Sequence, residues 1–134
     1  MRITLSLALK ILSLFFWWYG VVFVLSVAPS LGFTIPPEIS PEFRGQSYAW
    51  DFELMFTAIF VVWGAFLWKA ASDPIKHRTF ILFTIWATAA HIGAMVVVGV
   101  IRIEDFKHLF IDALALSIPL LLVASGYRKA FKAS

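Results

Sequence analysis

Cysteine is absent from all 134 residues. That excludes disulfides, thiolate metal sites, Cys-ligated iron–sulfur clusters and a cysteine nucleophile, and leaves the compartment undecided. Charge is scarce as well. Asp, Glu, Lys and Arg make up 14% of the chain, where a soluble domain carries about a quarter. There is no Walker, dinucleotide-binding, Ser-His-Asp or zincin pattern, no internal repeat and no low-complexity stretch. The net charge of +3 does not gather on a basic face, so no nucleic-acid partner is expected. The length suits one compact unit rather than two.

What fills the chain instead is apolar: 61% of residues are hydrophobic. A soluble fold of this size has too little interior for them, and the excess must face lipid. Four apolar runs stand out, near Ile11–Ala28, Trp50–Ala71, Thr79–Ile101 and Leu109–Gly126. Each approaches the roughly 20 residues that span hydrocarbon as an α-helix. Backbone amides in lipid must bond internally, and the runs lack the strict alternation of barrel strands. The expected fold is all-α: a four-transmembrane-helix bundle, forming one integral membrane domain over residues 1–134. Helix 1 has a basic start and Ser26-Val27-Ala28, which mimics a signal-peptide cleavage site. Pro29 after that site and the bulky Phe15–Tyr19 run favour a retained helix.

The connections are short except the first. Residues 29–49 hold Pro29, Pro36, Pro37, Pro41, Gly32 and Gly45, the composition of turns and extended chain. Phe33, Ile35, Ile39, Phe43 and Tyr48 give this outer loop an apolar side suited to the membrane surface. In the second connection, Asp73 suits a helix N-cap and Pro74 the first helical position.

Charge sets the orientation. Arg2, Lys10, Lys69, Lys76, Arg78, Arg128, Lys129 and Lys132 flank one set of helix ends, with Asp73 the one acid among them. The other ends hold three cations against seven acids, including Glu53, Glu104, Asp105 and Asp112. Both termini are therefore expected in the cytoplasm, N-in and C-in, in the inner (plasma) membrane. Trp50, Trp68 and Tyr127 fall near the predicted interfaces, as aromatic belts do.

Polar and small residues should face the bundle. The helical period groups Ser6, Lys10, Ser13, Trp17 and Gly20 on helix 1, and Glu53, Thr57, Phe60, Gly64 and Ala71 on helix 2. It groups Thr84, Ala87, Thr88, His91, Ala94 and Met95 on helix 3, and Asp105, His108, Asp112, Ala115 and Pro119 on helix 4. Ile85, Trp86, Ile92, Val96, Val97 and Val100 suit lipid.

Ionisable residues inside a membrane are functional candidates by default. Here they are Glu53, His91, His108 and Asp112, a set that could bind a transition metal, relay protons or hydrogen-bond a quinone-like ligand. Depth counts against one joint site: His91 lies roughly 15 Å from its helix end, while Glu53 and Asp112 lie about one turn from theirs. The bland reading makes His91 a packed histidine that bonds Thr57, Thr88 or the Ala115 carbonyl, which Pro119 leaves without its helical donor. His77 and His91 share a face at a fourteen-residue spacing, but helices 1 and 2 offer no histidine pair to complete a bis-haem site. No catalytic residue is assigned, and the sequence names neither a cofactor nor a metal.

The central stretch carries a resemblance. Trp50-Asp51-Phe52-Glu53-Leu54-Met55, Asp73-Pro74-Ile75-Lys76-His77-Arg78, Phe83-Thr84-Ile85-Trp86-Ala87, His91 and Glu104…His108-Leu109…Asp112-Ala113-Leu114 run through residues 50–116. This text resembles a family of small uncharacterised four-span bacterial integral membrane proteins, loosely DoxX-like in layout. The motifs of DoxX proteins themselves are missing. The resemblance implies the architecture, with Glu53, His77, His91, His108 and Asp112 as the family's polar positions, and brings no activity. The expected role is a non-enzymatic subunit or accessory factor of a larger membrane assembly, with the lipid bilayer, a membrane-protein partner or a homo-oligomer as partners. The alternative is a ligand- or metal-binding redox or proton-transfer protein built on Glu53, His91, His108 and Asp112. A small transporter ranks below both, because no Gly/Pro-broken helix pair marks a midplane site.

Overall fold

The computed structural model describes residues 4–27, 50–101 and 106–131, with side chains over 4–25, 54–101 and 110–131. Four helices account for nearly all of them: α1 (Leu5–Val27), α2 (Trp50–Ala70), α3 (Arg78–Ile101) and α4 (Phe106–Phe131). Three contain stretches long and apolar enough to cross a membrane: Leu5–Leu25, Arg78–Ile101 and Phe110–Phe131. The apolar stretch described in α2, Leu54–Ala70, is shorter. The expected loop 29–49 lies outside the described residues.

α1 and α4 outrun the predicted spans. α1 begins at Leu5, where the apolar pattern predicts Ile11. Leu5, Leu7, Ala8 and Leu9 are good helix formers, and Lys10 does not interrupt them. Its ammonium sits 5.3 Å from the centre of the Trp68 ring, so the stem lies along apolar surface while the charge meets a π-face. α4 starts at Phe106 and runs on to Phe131, past Arg128 and Lys129. These cations complement the negative end of the helix dipole.

The chain divides into two compact units, Met1–Leu12 with Leu67–Ser134, and Ser13–Phe66. In the first unit α3 packs on α4. α3 buries Ile81, Thr84, Thr88 and Gly99; α4 buries Ala113, Leu116, Leu120 and Val123. The α4 stripe and the first half of the α3 stripe repeat at three- and four-residue steps, the spacing of one helix face. Leu9, Leu12 and Leu67 are also fully buried. At one end of this unit the start of α1 reaches α2 and α4. Ser6 Oγ donates to the Ala71 carbonyl at 2.6 Å, and a Cβ built on Gly126 would stand 3.1 Å from Leu5 Cα. Any larger residue at Gly126 would push the two helices apart.

The α2–α3 turn is tied by its own polar residues. Ser72 Oγ donates to the Lys69 carbonyl at 2.7 Å, occupying one of the acceptors left open at the end of α2. Asp73 Oδ1 accepts the Lys76 amide at 3.2 Å. Asp73 therefore caps a tight turn, closed by the Arg78 amide on the Ile75 carbonyl. α3 itself begins at Arg78, four residues after the Pro74 start that the sequence suggests.

In the second unit α1 packs on α2 through hydrogen bonds and small residues. Ser13 Oγ donates to the Gly64 carbonyl at 2.7 Å, and Trp17 Nε1 to the Val61 carbonyl at 3.1 Å. Steps of four along α1 and three along α2, in opposite directions, match an antiparallel pair. Close approach is possible because Gly64 has no Cβ: one built there would lie 2.8 Å from Trp17 Nε1. Gly20 meets Val61 Cγ2 in the same way, also at 2.8 Å. Beside these contacts Phe16, Tyr19, Phe60 and Trp63 form an aromatic cluster, with Phe16 and Phe60 centred 5.0 Å apart and Phe16 edge-on to Trp63 at 5.4 Å.

Candidate functional site

Two places compete for a functional role: the polar residues along α3 and α4, and the basic end of the first unit. Of the four residues singled out in the sequence, two have described side chains. Glu53 stands in the first turn of α2 and His108 in the first turn of α4; their side chains lie outside the described residues.

His91 is half-buried near the middle of α3 and Asp112 is exposed on α4. Their relative height follows from the antiparallel register. Arg78 Nε donates to Tyr127 Oη at 3.2 Å, so the start of α3 and the last turns of α4 lie at the same end of the unit. His91 lies thirteen residues along α3 from Arg78, and Asp112 fifteen residues back along α4 from Tyr127. At a rise of about 1.5 Å per residue, these offsets are about 20 Å and about 23 Å from that shared end. The depth difference between His91 and Asp112 expected from the sequence is narrowed by the longer α4. It came from starting helix 4 at Leu109; with α4 starting at Phe106, Asp112 sits nearly two turns inside.

Height is not chemistry, however. Among the described residues, no three His, Asp or Glu side chains gather closely enough to hold a metal ion. The metal-binding alternative built on Glu53, His91, His108 and Asp112 therefore gains no support. His77 lies in the turn before α3, and its carbonyl accepts the Ile81 amide at 3.0 Å. Two buried hydroxyls, Thr57 Oγ1 and Thr88 Oγ1, have no hydrogen-bond partner among the described residues. Ser117, by contrast, returns its hydroxyl to the Ala113 carbonyl at 2.6 Å, one turn back. Pro119 is buried within a helix that continues through it.

The basic end is better built. It joins Lys10 of α1, Lys69 at the end of α2, Lys76 in the turn, Arg78 at the start of α3, and Arg128 and Lys129 in the last turn of α4. Asp73 is the one described acid in this region, and it accepts a backbone amide. Aromatic rings support the cations: Trp68 beneath Lys10, and Phe131 with its ring centre 5.0 Å from the Arg78 guanidinium carbon. Tyr127 and Phe131 in turn lie ring to ring at 4.7 Å. Charge counting in the sequence finds the cations and Tyr127 as a belt residue. It misses Phe131 and the link between Tyr127 and Arg78, because only the packing of α3 on α4 brings positions 78 and 127 together.

No curated protein and no solved structure matches the chain. A family model does match, over residues 6–132, which covers all four helices and their connections; the chain belongs to that family, described as a family of unknown function, DUF6632.

Proposed function

We propose that the chain is a four-span protein of the bacterial plasma membrane, with both termini in the cytoplasm. It acts as a non-enzymatic subunit or accessory factor of a larger membrane assembly. The observation that carries this reading is the bareness of α3. Only 17% of its span is buried, against 39% of the span in α1 and 33% of that in α4. Trp86 is 71% exposed and Val100 64%. Between them Ala90, Gly93 and Ala94 are exposed, and a Cβ on Gly93 would meet nothing within 4 Å. Small residues between bulky ones are what helices in lipid use to approach each other. Lipid covers such a surface as readily as protein, so partner binding is the point at issue.

Purification in mild detergent, with crosslinking in the membrane beforehand, tests it. The expected result is a complex of fixed stoichiometry that Gly93→Ile disrupts without loss of helicity. A monomer free of crosslinked partners overturns the proposal.

A further inference from the structure

We propose that Arg78, held by Tyr127 and Phe131, is a binding site for the phosphate of an anionic phospholipid. The inference rests on the reading of the chain as a membrane-spanning protein. An arginine carries five N–H donors in a rigid fork. Here one of them, on Nε, is committed to Tyr127 Oη, and the guanidinium lies over the Phe131 ring. Among the described residues, the remaining donors have no partner and Arg78 makes no ion pair. The side chain is exposed and its conformation is fixed from two sides, so little rotamer freedom is lost when an anion arrives.

Arg78 is the first residue of α3, so the positive end of that helix dipole lies beside it. Lys76 and Lys129, both exposed, are two residues from Arg78 and from Tyr127 respectively. Among the described residues no carboxylate pairs with Arg78, and a guanidinium fork among cations suits a negative charge carried on paired oxygens. A phosphodiester headgroup has that form, and guanidinium meets it through two parallel hydrogen bonds. Position favours a lipid as the source. Arg78 opens one apolar span and Tyr127 lies near the end of another, so the fork sits where hydrocarbon gives way to headgroups.

The test uses the full chain in mild detergent, titrated separately with phosphatidylglycerol, phosphatidylcholine and inorganic phosphate. Bound ligand is counted by native mass spectrometry. Phosphatidylglycerol should bind at least about tenfold more tightly than phosphatidylcholine or free phosphate, the scale of a charge-assisted hydrogen-bond pair. Arg78→Gln should remove about tenfold of that affinity, and Lys129→Gln no more than about twofold. Tyr127→Phe keeps every charge and frees the guanidinium. It should weaken phosphatidylglycerol about threefold while leaving phosphatidylcholine unchanged.

Equal binding of the two lipids overturns the site. So does an equal loss in Arg78→Gln and Lys129→Gln, which would mark a diffuse field, or an unaltered Tyr127→Phe. Free phosphate binding as tightly as the lipid overturns the assignment to lipid. Failure of the membrane reading shows separately, as a chain that carbonate washing strips from membranes. Far-UV circular dichroism on each variant confirms retained helices, and Tyr127→Phe decides the matter if Arg78→Gln misfolds.

Discussion

Replacing Gly64 by alanine should destabilise the protein far more than one methyl group suggests. The added carbon would stand 2.8 Å and 2.9 Å from Nε1 and Cδ1 of Trp17, and 3.2 Å from the Ser13 carbonyl oxygen. The indole can yield only by giving up its bond to Val61, and the backbone at Ser13 only by moving α1 away from α2. Overpacking of this kind costs about 1–3 kcal/mol. Two interhelical hydrogen bonds stretched at the same time are worth about 0.6 kcal/mol each in a membrane. Against this stands the better helix propensity of alanine, about 1 kcal/mol. The net loss expected is about 1–3 kcal/mol.

Reversible unfolding in mixed micelles, driven by rising SDS and followed by circular dichroism, measures it. Gly93→Ala is the internal control, since its Cβ enters open space; it should be neutral or stabilising by up to about 1 kcal/mol. The cause can be separated as well. In a Trp17→Ala background the indole is gone, and Gly64→Ala should lose at least about 1 kcal/mol of its effect. Equal stability of Gly64→Ala and Gly93→Ala, or full additivity with Trp17→Ala, would refute the close packing described here.

Two further outcomes are expected. Thr57→Val and Thr88→Val each replace a buried hydroxyl lacking a described partner by a methyl group of similar shape, and should be neutral or stabilising by about 1 kcal/mol in the same SDS titration; a loss of similar size would show that the hydroxyl is bonded. Single cysteines introduced at Ser72 and Ser40 are unique labels in a chain without cysteine, and an impermeant maleimide added outside intact cells should reach position 40 and not 72; the reverse pattern would invert the proposed topology.

Much of the fold is legible in the residues, and the exceptions share a physical cause. Apolar runs place four helices, and small or polar residues identify Ser13, Gly20, Thr57, Gly64, Thr84 and Thr88 as inward-facing, all of them buried. The ends are harder. A charge marks where hydrocarbon stops, whereas the helix continues wherever a long side chain can reach the interface, as with Lys10 and Arg128. Faces are harder still, because each helix is apolar nearly all round and the pattern hardly distinguishes lipid from neighbour. Ala94 is exposed although predicted inward, and Ile85 and Ile92 are half-buried although assigned to lipid. On α4 the packed stripe runs through Ala113, Leu116, Leu120 and Val123, which leaves Asp112 exposed at its margin. The candidate polar set fares similarly: the longer α4 narrows the difference in depth between His91 and Asp112, and spacing alone cannot show it, since it contains no register between α3 and α4. The Arg78–Tyr127 contact is long-range by 49 residues and has no local signature.

The gathering of cations at one end has an electrical consequence. Arg2, Lys10, Lys69, Lys76, Arg78, Arg128, Lys129 and Lys132 stand against Asp73 alone, so that end carries a net seven positive charges. In an energised membrane, negative inside, each charge carried across works against about 2.3 kcal/mol per 100 mV. Carrying that end across would therefore require about 16 kcal/mol at that potential, before any hydration is lost. In the topology proposed above, with the basic end in the cytoplasm, the membrane voltage itself helps to hold the protein upright, and its collapse would release one of the forces that fix which way the molecule points.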